Sequence, residues 1–219
     1  MGVSGGPYIV RDSSLVLELD AADRNSYVSG SLIWNDMSGN NNSGSLINGP
    51  TFSSTNLGSI VFDGSNDYCL TNYTDTPVYF TFECAFKFNT ISDVKVVVGK
   101  YSGAGDNYWM GIFNTSNLIF SVNGDILNSN FSVSTSSYNI ITCIVGNLSK
   151  QIYINGILRN SSSTALTNPV GGIALGTFGQ YGGDFNSNVN IANFKFYNRA
   201  LSATEVLQNY NATKTRFGL

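Results

Sequence analysis

The sequence predicts an all-β protein, a sandwich of two antiparallel sheets, and three features support this prediction. Short runs in which apolar and polar residues alternate recur along the chain, separated by turns rich in Gly, Asn and Ser. An Asn155-Gly156 pair joins two such runs, and it is the strongest short hairpin signal because both residues accept a positive φ. Only one segment, near the C-terminus, has a convincing helical pattern.

The stretch over residues 138–159 is the predicted centre of the fold. Its first strand is apolar on both faces, with Ile141 and Val145 on one face and Ile140 and Ile144 on the other. A strand of this kind is typical of a mid-sheet position between two covered layers. We therefore expect this strand and the hairpin that follows it to lie inside a large sheet.

A second strong strand covers residues 80–88. Its even-numbered positions are apolar, whereas Thr81, Glu83 and Lys87 are expected to face outward. Residues 59–71 are expected to form a hairpin with its turn at 64–66. Further strands are predicted at residues 15–19, near 32–34 and 44–46, and at 94–100, 108–113, 118–122, 172–176 and 189–197.

The predicted helix covers residues 202–212. Ser202 is the expected N-cap, and Glu205 three residues later completes a capping box. The apolar side of this helix is expected to consist of Val206, Leu207 and Tyr210.

At 219 residues the chain fits a single domain, which we place at residues 14–219, including the helix and the C-terminal tail. Residues 1–13 form a Gly-rich N-terminal arm that is either flexible or ordered only by a partner. No apolar run approaches the roughly 20 residues that a membrane span needs, and the start of the chain lacks the features of a secretory signal.

Composition argues against several classes of function. Charged residues make up 11% of the chain, the net charge is −3, and no Lys/Arg cluster is present, so nucleic-acid binding is not expected. The chain has no histidine, which removes Ser-His and Cys-His nucleophile pairs and all His-containing zinc sites. Three cysteines lie in strand-like runs and are expected to be buried free thiols; a Cys69–Cys84 disulfide is the alternative.

Four segments, in this order and spacing, resemble the laminin-G-like, concanavalin A-like domain. The segments are Phe-Asp-Gly-Ser-Asn-Asp-Tyr at 62–68, Phe-Glu-Cys-Ala-Phe at 82–86, and residues 150–158 and 196–206. This resemblance covers roughly residues 14–212 and implies a jelly-roll of two packed antiparallel sheets.

The flanking segments resemble proteins of tailed bacteriophages, including marine ones. These segments are residues 5–10, 15–22, 34–40 and 209–219. Such proteins are commonly displayed on the head or tail of the virion, so the resemblance implies a virion component.

Hydrolysis is not expected, although glucanases with this fold use two carboxylates across a cleft. The chain has three glutamates, Glu18, Glu83 and Glu205. No carboxylate lies two or four positions from Glu83 on its strand, and Glu205 is explained by the helix cap. We therefore expect a non-enzymatic protein.

Calcium is the one cofactor that the sequence suggests, since relatives of the laminin-G type often hold it with loop oxygens. Asp63 and Asp67 are the predicted ligands, with Asp106 or Asp184 joining from another loop. The alternative is that these carboxylates accept hydrogen bonds within their own turns.

A glycan site is predicted where two aromatic loops, residues 105–109 and 179–186, carry polar side chains. Tyr108 and Trp109 begin a strand, so at least one of them must face the core, and core packing is favoured for Trp109. The predicted glycan ligands are Asp106, Tyr108, Gln180, Tyr181 and Asp184.

Three functions follow, in order of preference. The first is a non-enzymatic protein at the virion surface, assembled in the host cytoplasm as a head decoration, head fibre or tail component. It would contact other virion proteins and copies of itself through residues 1–12 and 213–219. The second is a carbohydrate-binding module or adhesin that attaches to cell-surface polysaccharide, and the third is a glycan-active hydrolase.

Overall fold

The computed structural model describes residues 8–101, 107–114, 116–163, 171–179 and 185–219. In chain order the strands are β1 (Leu15–Asp20), β2 (Ile33–Trp34), β3 (Gly44–Ile47), β4 (Thr51–Ser53), β5 (Ser59–Asp63), β6 (Tyr68–Thr71), β7 (Phe80–Phe88), β8 (Lys95–Tyr101), β9 (Asn107–Ile112), β10 (Asn117–Val122), β11 (Asp125–Ser132), β12 (Asn139–Gly146), β13 (Ser149–Ile154), β14 (Ile157–Ser163), β15 (Ala174–Leu175) and β16 (Asn188–Tyr197). Helix α1 (Ala203–Thr213) and a 3-10 turn (Lys214–Phe217) follow, and another 3-10 turn covers Thr55–Leu57.

Within the described residues these strands form two antiparallel sheets of eight strands each, which confirms the predicted fold class. Sheet I has the order β14-β13-β12-β7-β16-β5-β4, and β1 also pairs with β16. Sheet II has the order β11-β10-β9-β8-β15-β6-β3-β2. One hydrophobic core lies between the two sheets.

Aromatic side chains fill the centre of this core. The even-numbered residues of β7 point inward as predicted, and they meet rings from sheet II. The centroids of the Phe80 and Tyr108 rings are 4.5 Å apart, and those of Phe82 and Phe120 are 5.6 Å apart. Such pairs contribute about 0.5–1.5 kcal/mol each beyond the area that they bury.

The predicted central hairpin is confirmed. Strand β12 lies between β7 and β13, and all of its residues are buried. Asn155 and Gly156 join β13 to β14 with φ values of 52° and 75°, as a type I′ turn requires. The Asn155 amide also donates to the carbonyl of Ile140 over 2.8 Å, so the turn is tied back to β12.

The predicted hairpin at residues 59–71 is wrong, because its two strands belong to different sheets. Strand β5 pairs with β4 and β16 in sheet I, and β6 pairs with β3 and β15 in sheet II. Phe62 and Cys69 therefore enter the same core from opposite sides. Alternation predicts the buried face of a strand but does not identify its neighbour, and either arrangement buries these residues.

Strand β11 was not predicted. It is an edge strand of sheet II in which exposed and buried residues do not alternate regularly, and it is rich in Asn and Ser. Edge strands with little apolar patterning give a weak periodic signal, since only part of one face needs to be buried.

The outer face of sheet I is covered rather than solvated, contrary to the expectation for β7. Thr81 and Glu83 are fully buried. The hydroxyl of Thr81 donates to the carbonyl of Arg199 over 2.9 Å and accepts from the amide of Leu201 over 2.9 Å. Glu83 pairs with Lys195 of β16 at 2.7 Å.

The N-terminal segment at residues 8–13 is part of this cover, so this part of the arm is ordered by the chain itself. The Val10 amide donates to Oδ1 of Asn209 over 2.7 Å. The Val10 carbonyl accepts from the hydroxyl of Tyr197 over 3.1 Å, and Nε2 of Gln208 donates to the carbonyl of Tyr8 over 2.8 Å.

Helix α1 is the second part of the cover, and its predicted capping box is confirmed. Ser202 Oγ accepts from the Glu205 amide over 3.3 Å, and Glu205 Oε2 accepts from the Ser202 amide over 2.8 Å. The expected apolar side is wrong at Leu207, which is exposed. The buried residues of the helix are Val206 and Asn209. Asn209 is buried because its side chain accepts a hydrogen bond from the N-terminal segment.

The C-terminal tail at residues 214–219 packs on the same side. The ring of Phe217 stacks on Tyr138 with centroids 4.8 Å apart. Arg216 pairs with Asp20 at 2.7 Å and donates to the carbonyls of Asn56 and Gly58 over 2.8 and 2.6 Å. The predicted partner-binding tail therefore contacts its own chain.

All three cysteines lie in described strands and are buried free thiols, as predicted. Among the described residues no helix is long and apolar enough to span a membrane.

We predict that Lys195→Met lowers the free energy of unfolding by about 3–5 kcal/mol, because it leaves the buried Glu83 carboxylate without its cation. The double variant Glu83→Leu/Lys195→Met is expected to recover most of this loss, since no charge stays buried. Urea unfolding at neutral pH measures both effects. A single variant as stable as the wild type would contradict the prediction.

A second prediction concerns pH. Hydrogen bonds from Arg199 lower the pKa of Glu205 to about 2, and bonds from Ser14 and then Arg199 lower the pKa of Asp12 to about 2. In the unfolded chain these carboxyls have pKa values of about 4. Their lower pKa values in the folded protein stabilise the fold at a pH above 4, and this stabilisation is lost as the pH falls toward 2. The melting temperature of the wild type should fall as the pH is lowered from 4 to 2, and that of Arg199→Met should fall less steeply. Equal dependence of the melting temperature on pH in the two proteins would contradict the prediction.

Candidate functional site

Described residues of the two segments that the sequence predicts as a glycan site, Trp109 and Phe185, join one aromatic cluster on sheet II. Strand β9 contributes Trp109, and the segment between β15 and β16 contributes Phe178 and Phe185. The ring centroids of Trp109 and Phe178 are 6.1 Å apart, and those of Phe178 and Phe185 are 6.5 Å apart. We call the whole cluster the aromatic face. It consists of Tyr101, Trp109, Phe113, Phe178 and Phe185.

Strand alternation places this cluster on the outside of sheet II. Tyr108 points into the core between the sheets, so Trp109 points outward and packs on Val96 and Ile119. Phe178 then lies over β8, where a Cβ on Gly99 would sit 3.1 Å from the Phe178 Cα. A side chain at residue 99 would therefore crowd the segment after β15, and glycine at this position suits its close crossing of the sheet.

The rim of the aromatic face is accessible. Phe113 and Phe185 are each 43% exposed. Phe185 has a φ of 82°, which is unusual for a bulky residue and costs about 1–3 kcal/mol. The surrounding bonds hold it there, because its carbonyl accepts from the Val96 amide over 3.1 Å and Ser187 Oγ donates to the Val96 carbonyl over 2.7 Å. Backbone strain of this kind is common at ligand-binding sites.

The predicted ligand Tyr108 is wrong, because its side chain is only 2% exposed and packs against Phe80 in the core. Burial also raises the pKa of its hydroxyl well above the ordinary value. Trp109 is buried as expected, but in the outer cluster. The other predicted ligands, Asp106, Gln180, Tyr181 and Asp184, lie outside the described residues.

Sequence reasoning did not single out the three phenylalanines. Phe178 is adjacent to the predicted loop and Phe185 lies within it, but neither ring was among the predicted ligands, and the glycan site stays a prediction. Phe113 follows directly after β9, and its position at a strand end is the signal that could have indicated exposure.

The predicted calcium ligands hold the connection between β5 and β6. Oδ1 of Asp63 accepts from the amides of Ser65 and Asn66 over 2.7 and 3.4 Å. Oδ2 of Asp67 accepts from the Asp63 amide over 3.1 Å. Hydrogen bonds lower the pKa of Asp63, whereas burial raises the pKa of Asp67. Among the described residues no group of three His, Cys, Asp or Glu side chains could hold a metal, and the calcium site stays a prediction.

Each of the three glutamates is paired with a cation. Glu18 lies 2.7 Å from Arg11, and burial raises the pKa of its carboxyl. Glu83 lies 2.7 Å from Lys195, and Glu205 lies 2.6 Å from Arg199. These pairs stabilise the cover on sheet I.

A cavity of about 310 Å³ lies under this cover. It is lined by Arg11, Glu18, Asp20, Lys195 and Arg216, among others. Every one of these charges has an opposite partner, because Arg11 pairs with Glu18, Arg216 with Asp20, and Lys195 with the nearby Glu83. The cavity therefore has no unpaired charge to attract an ionic ligand.

Comparison with known families agrees with this architecture. A laminin-G family model of the concanavalin A-like lectin/glucanases superfamily matches residues 62–207. The chain belongs to this superfamily. The sequence resemblance to laminin-G-like domains is thereby confirmed, and the phage resemblance stays a prediction. No curated protein matches the chain in sequence.

Solved structures of similar fold include several parts of larger proteins. The binding domain of Paraclostridial Mosquitocidal Protein 1 has a TM-score of 0.70 and 16% identity, with 91% of this chain and 52% of that chain covered. Trypanosoma rangeli sialidase in complex with sialic acid has a TM-score of 0.73 and 12% identity, with 98% and 36% covered. This superfamily member thus spans about half or less of those chains.

A third similar structure is of the same size as this chain. Domain 4 of AbnA, a GH43 extracellular arabinanase from Geobacillus stearothermophilus, was solved in complex with arabinotriose. It has a TM-score of 0.69 and 15% identity, with 90% of this chain and 98% of that chain covered. At such identities these likenesses show the fold alone.

Proposed function

We propose that this protein is a non-enzymatic carbohydrate-binding domain that attaches to cell-surface polysaccharide through the aromatic face. The observation that carries the proposal is the cluster of five rings on the outside of sheet II, with the rings of Phe113 and Phe185 exposed at its rim. The complex of the arabinanase domain with arabinotriose supports the proposal by analogy of fold.

The aromatic face suits a sugar for two physical reasons. The C–H face of a pyranose ring packs on an aromatic ring, and a few fixed polar groups then orient its hydroxyls. The predicted polar ligands Asp106, Gln180, Tyr181 and Asp184 are close in sequence to Trp109, Phe178 and Phe185. We assign hydrogen bonding to these side chains and stacking to the phenylalanines.

The location on a virion that the flanking segments predict is consistent with glycan binding by the aromatic face, because host attachment by a phage often begins at cell-surface polysaccharide. We propose this setting on the sequence resemblance alone. Residues 8–12 and 213–219 contact their own chain on the sheet I side, and assembly contacts through residues 1–12 and 213–219 stay a prediction.

Binding to a panel of polysaccharides tests the proposal. Phe185→Asn removes the ring while keeping a residue that tolerates a positive φ, and Phe113→Ala removes the other exposed ring. Each variant is expected to weaken binding about 5–10-fold, since an aromatic contact contributes about 1 kcal/mol.

Leu207→Ala is the matched control, because it removes an exposed apolar side chain on helix α1, which covers the opposite sheet, and should leave binding unchanged. Wild-type affinity in the Phe185→Asn/Phe113→Ala double variant, or no binding of the wild type to any polysaccharide, would refute the proposal.

A further inference from the structure

A groove with a volume of about 540 Å³ lies away from the aromatic face, beside edge strand β4 of sheet I. Its walls come from the loop after β1 and from the 3-10 turn before β5, and they include Arg24, Tyr27, Val28, Phe52 and Leu57. Pockets for small ligands typically measure about 300–1,000 Å³. The groove is therefore large enough for one or a few sugar rings, and it shares no residue with the aromatic face.

Arg24 brings a positive charge to this groove and forms no ion pair with the described residues. Three other arginines, Arg11, Arg199 and Arg216, form ion pairs, and Arg159 lies over the ring of Phe131 at 5.0 Å. Arg24 makes no hydrogen bond or ion pair with the part of the chain that the structure describes. Its guanidinium therefore has all of its donors free for a ligand.

The nearest carboxylates along the chain form no ion pair with Arg24. Asp20 pairs with Arg216 at 2.7 Å and accepts from the Ala22 amide over 2.9 Å. Asp23 accepts from the Asn25 amide over 2.8 Å and does not line the groove. Arg24 is the one charged residue among the described lining residues, so an anion that enters the groove meets its guanidinium.

Apart from Ser29, the other side chains that line the groove are apolar or aromatic. The rings of Tyr27 and Phe52 lie 5.6 Å apart, and Phe52 is partly exposed. Val28 and Leu57 are 60% and 72% exposed at the rim. Exposed apolar groups around a free cation suit a ligand with an apolar body and one anionic group.

Leu57 is held at the rim by the C-terminal tail. Its φ of 69° is strained for a branched residue. Arg216 donates to the carbonyls on both sides of it, at Asn56 and Gly58, and Nδ2 of Asn56 donates back to the Arg216 carbonyl over 3.1 Å. Strain that the surroundings enforce is common at ligand-binding sites.

We infer that this groove binds a sugar residue that carries a carboxylate, such as a uronic acid within an anionic polysaccharide. A planar guanidinium pairs with a carboxylate through two parallel hydrogen bonds, while the pyranose ring packs on Phe52 and Leu57. A single arginine matches the single charge of a carboxylate. The inference concerns a second site and does not depend on the aromatic face.

The test is an NMR titration of the full chain with trigalacturonate, and with neutral galactotriose, acetate and inorganic phosphate as comparisons. Shifts of the Ala22, Arg24 and Leu57 amides report on the groove. We expect trigalacturonate to bind at least tenfold more tightly than the neutral trisaccharide and than either small anion. Arg24→Gln should weaken trigalacturonate binding tenfold or more, and Arg24→Lys should restore part of it.

Arg159→Gln is the matched control, because it removes another exposed arginine and should leave trigalacturonate binding unchanged. The Ala22, Arg24 and Leu57 amides lie at the groove and not at the aromatic face, so their shifts separate binding at this site from binding at the aromatic face. Equal affinity for the charged and neutral trisaccharides, an unchanged affinity in Arg24→Gln, or phosphate binding as tight as that of trigalacturonate would each overturn the inference.

Discussion

The buried ion pair between Glu83 and Lys195 is the constraint on which the arrangement of the molecule depends. The two side chains lie on the outer side of paired strands β7 and β16 and are 2.7 Å apart. A charged pair at this depth is costly to desolvate, so the sheet must hold both partners together. The chain covers the pair with α1, the N-terminal segment and the C-terminal tail, which turns a two-layer sandwich into a sandwich with a third, partial layer.

This third layer determines which outer face of the sandwich stays exposed. Because residues 8–13 and 203–219 occupy the outer side of sheet I, the exposed aromatic rings lie on sheet II. The same tail also shapes the groove, since Arg216 fixes the strained turn that presents Leu57. The two proposed sites therefore use different parts of one scaffold: an aromatic surface on sheet II, and a groove with one charged lining residue, Arg24, beside sheet I.

Local signals in the sequence were sufficient for most strands and for the helix cap. The alternation in β7, the Asn155-Gly156 turn and the Ser202/Glu205 box each depend on a few neighbouring residues. Long-range contacts were not predictable in this way. The sequence could not show that β5 and β6 join different sheets, or that Glu83 faces outward yet is buried.

The candidate site was also predictable from the sequence only in part. Loop composition identified the two segments that flank the aromatic face, but the assignment of Tyr108 failed because the direction of a strand residue depends on which face the partner sheet covers.

The central claim is that both chain ends cover sheet I, and hydrogen exchange at the Val10 amide tests it most directly. This amide donates to the buried side chain of Asn209, so it should exchange as slowly as the amides inside α1. Exchange at the rate of an unstructured peptide, while the amides of β7 and β16 stay protected, would contradict the account.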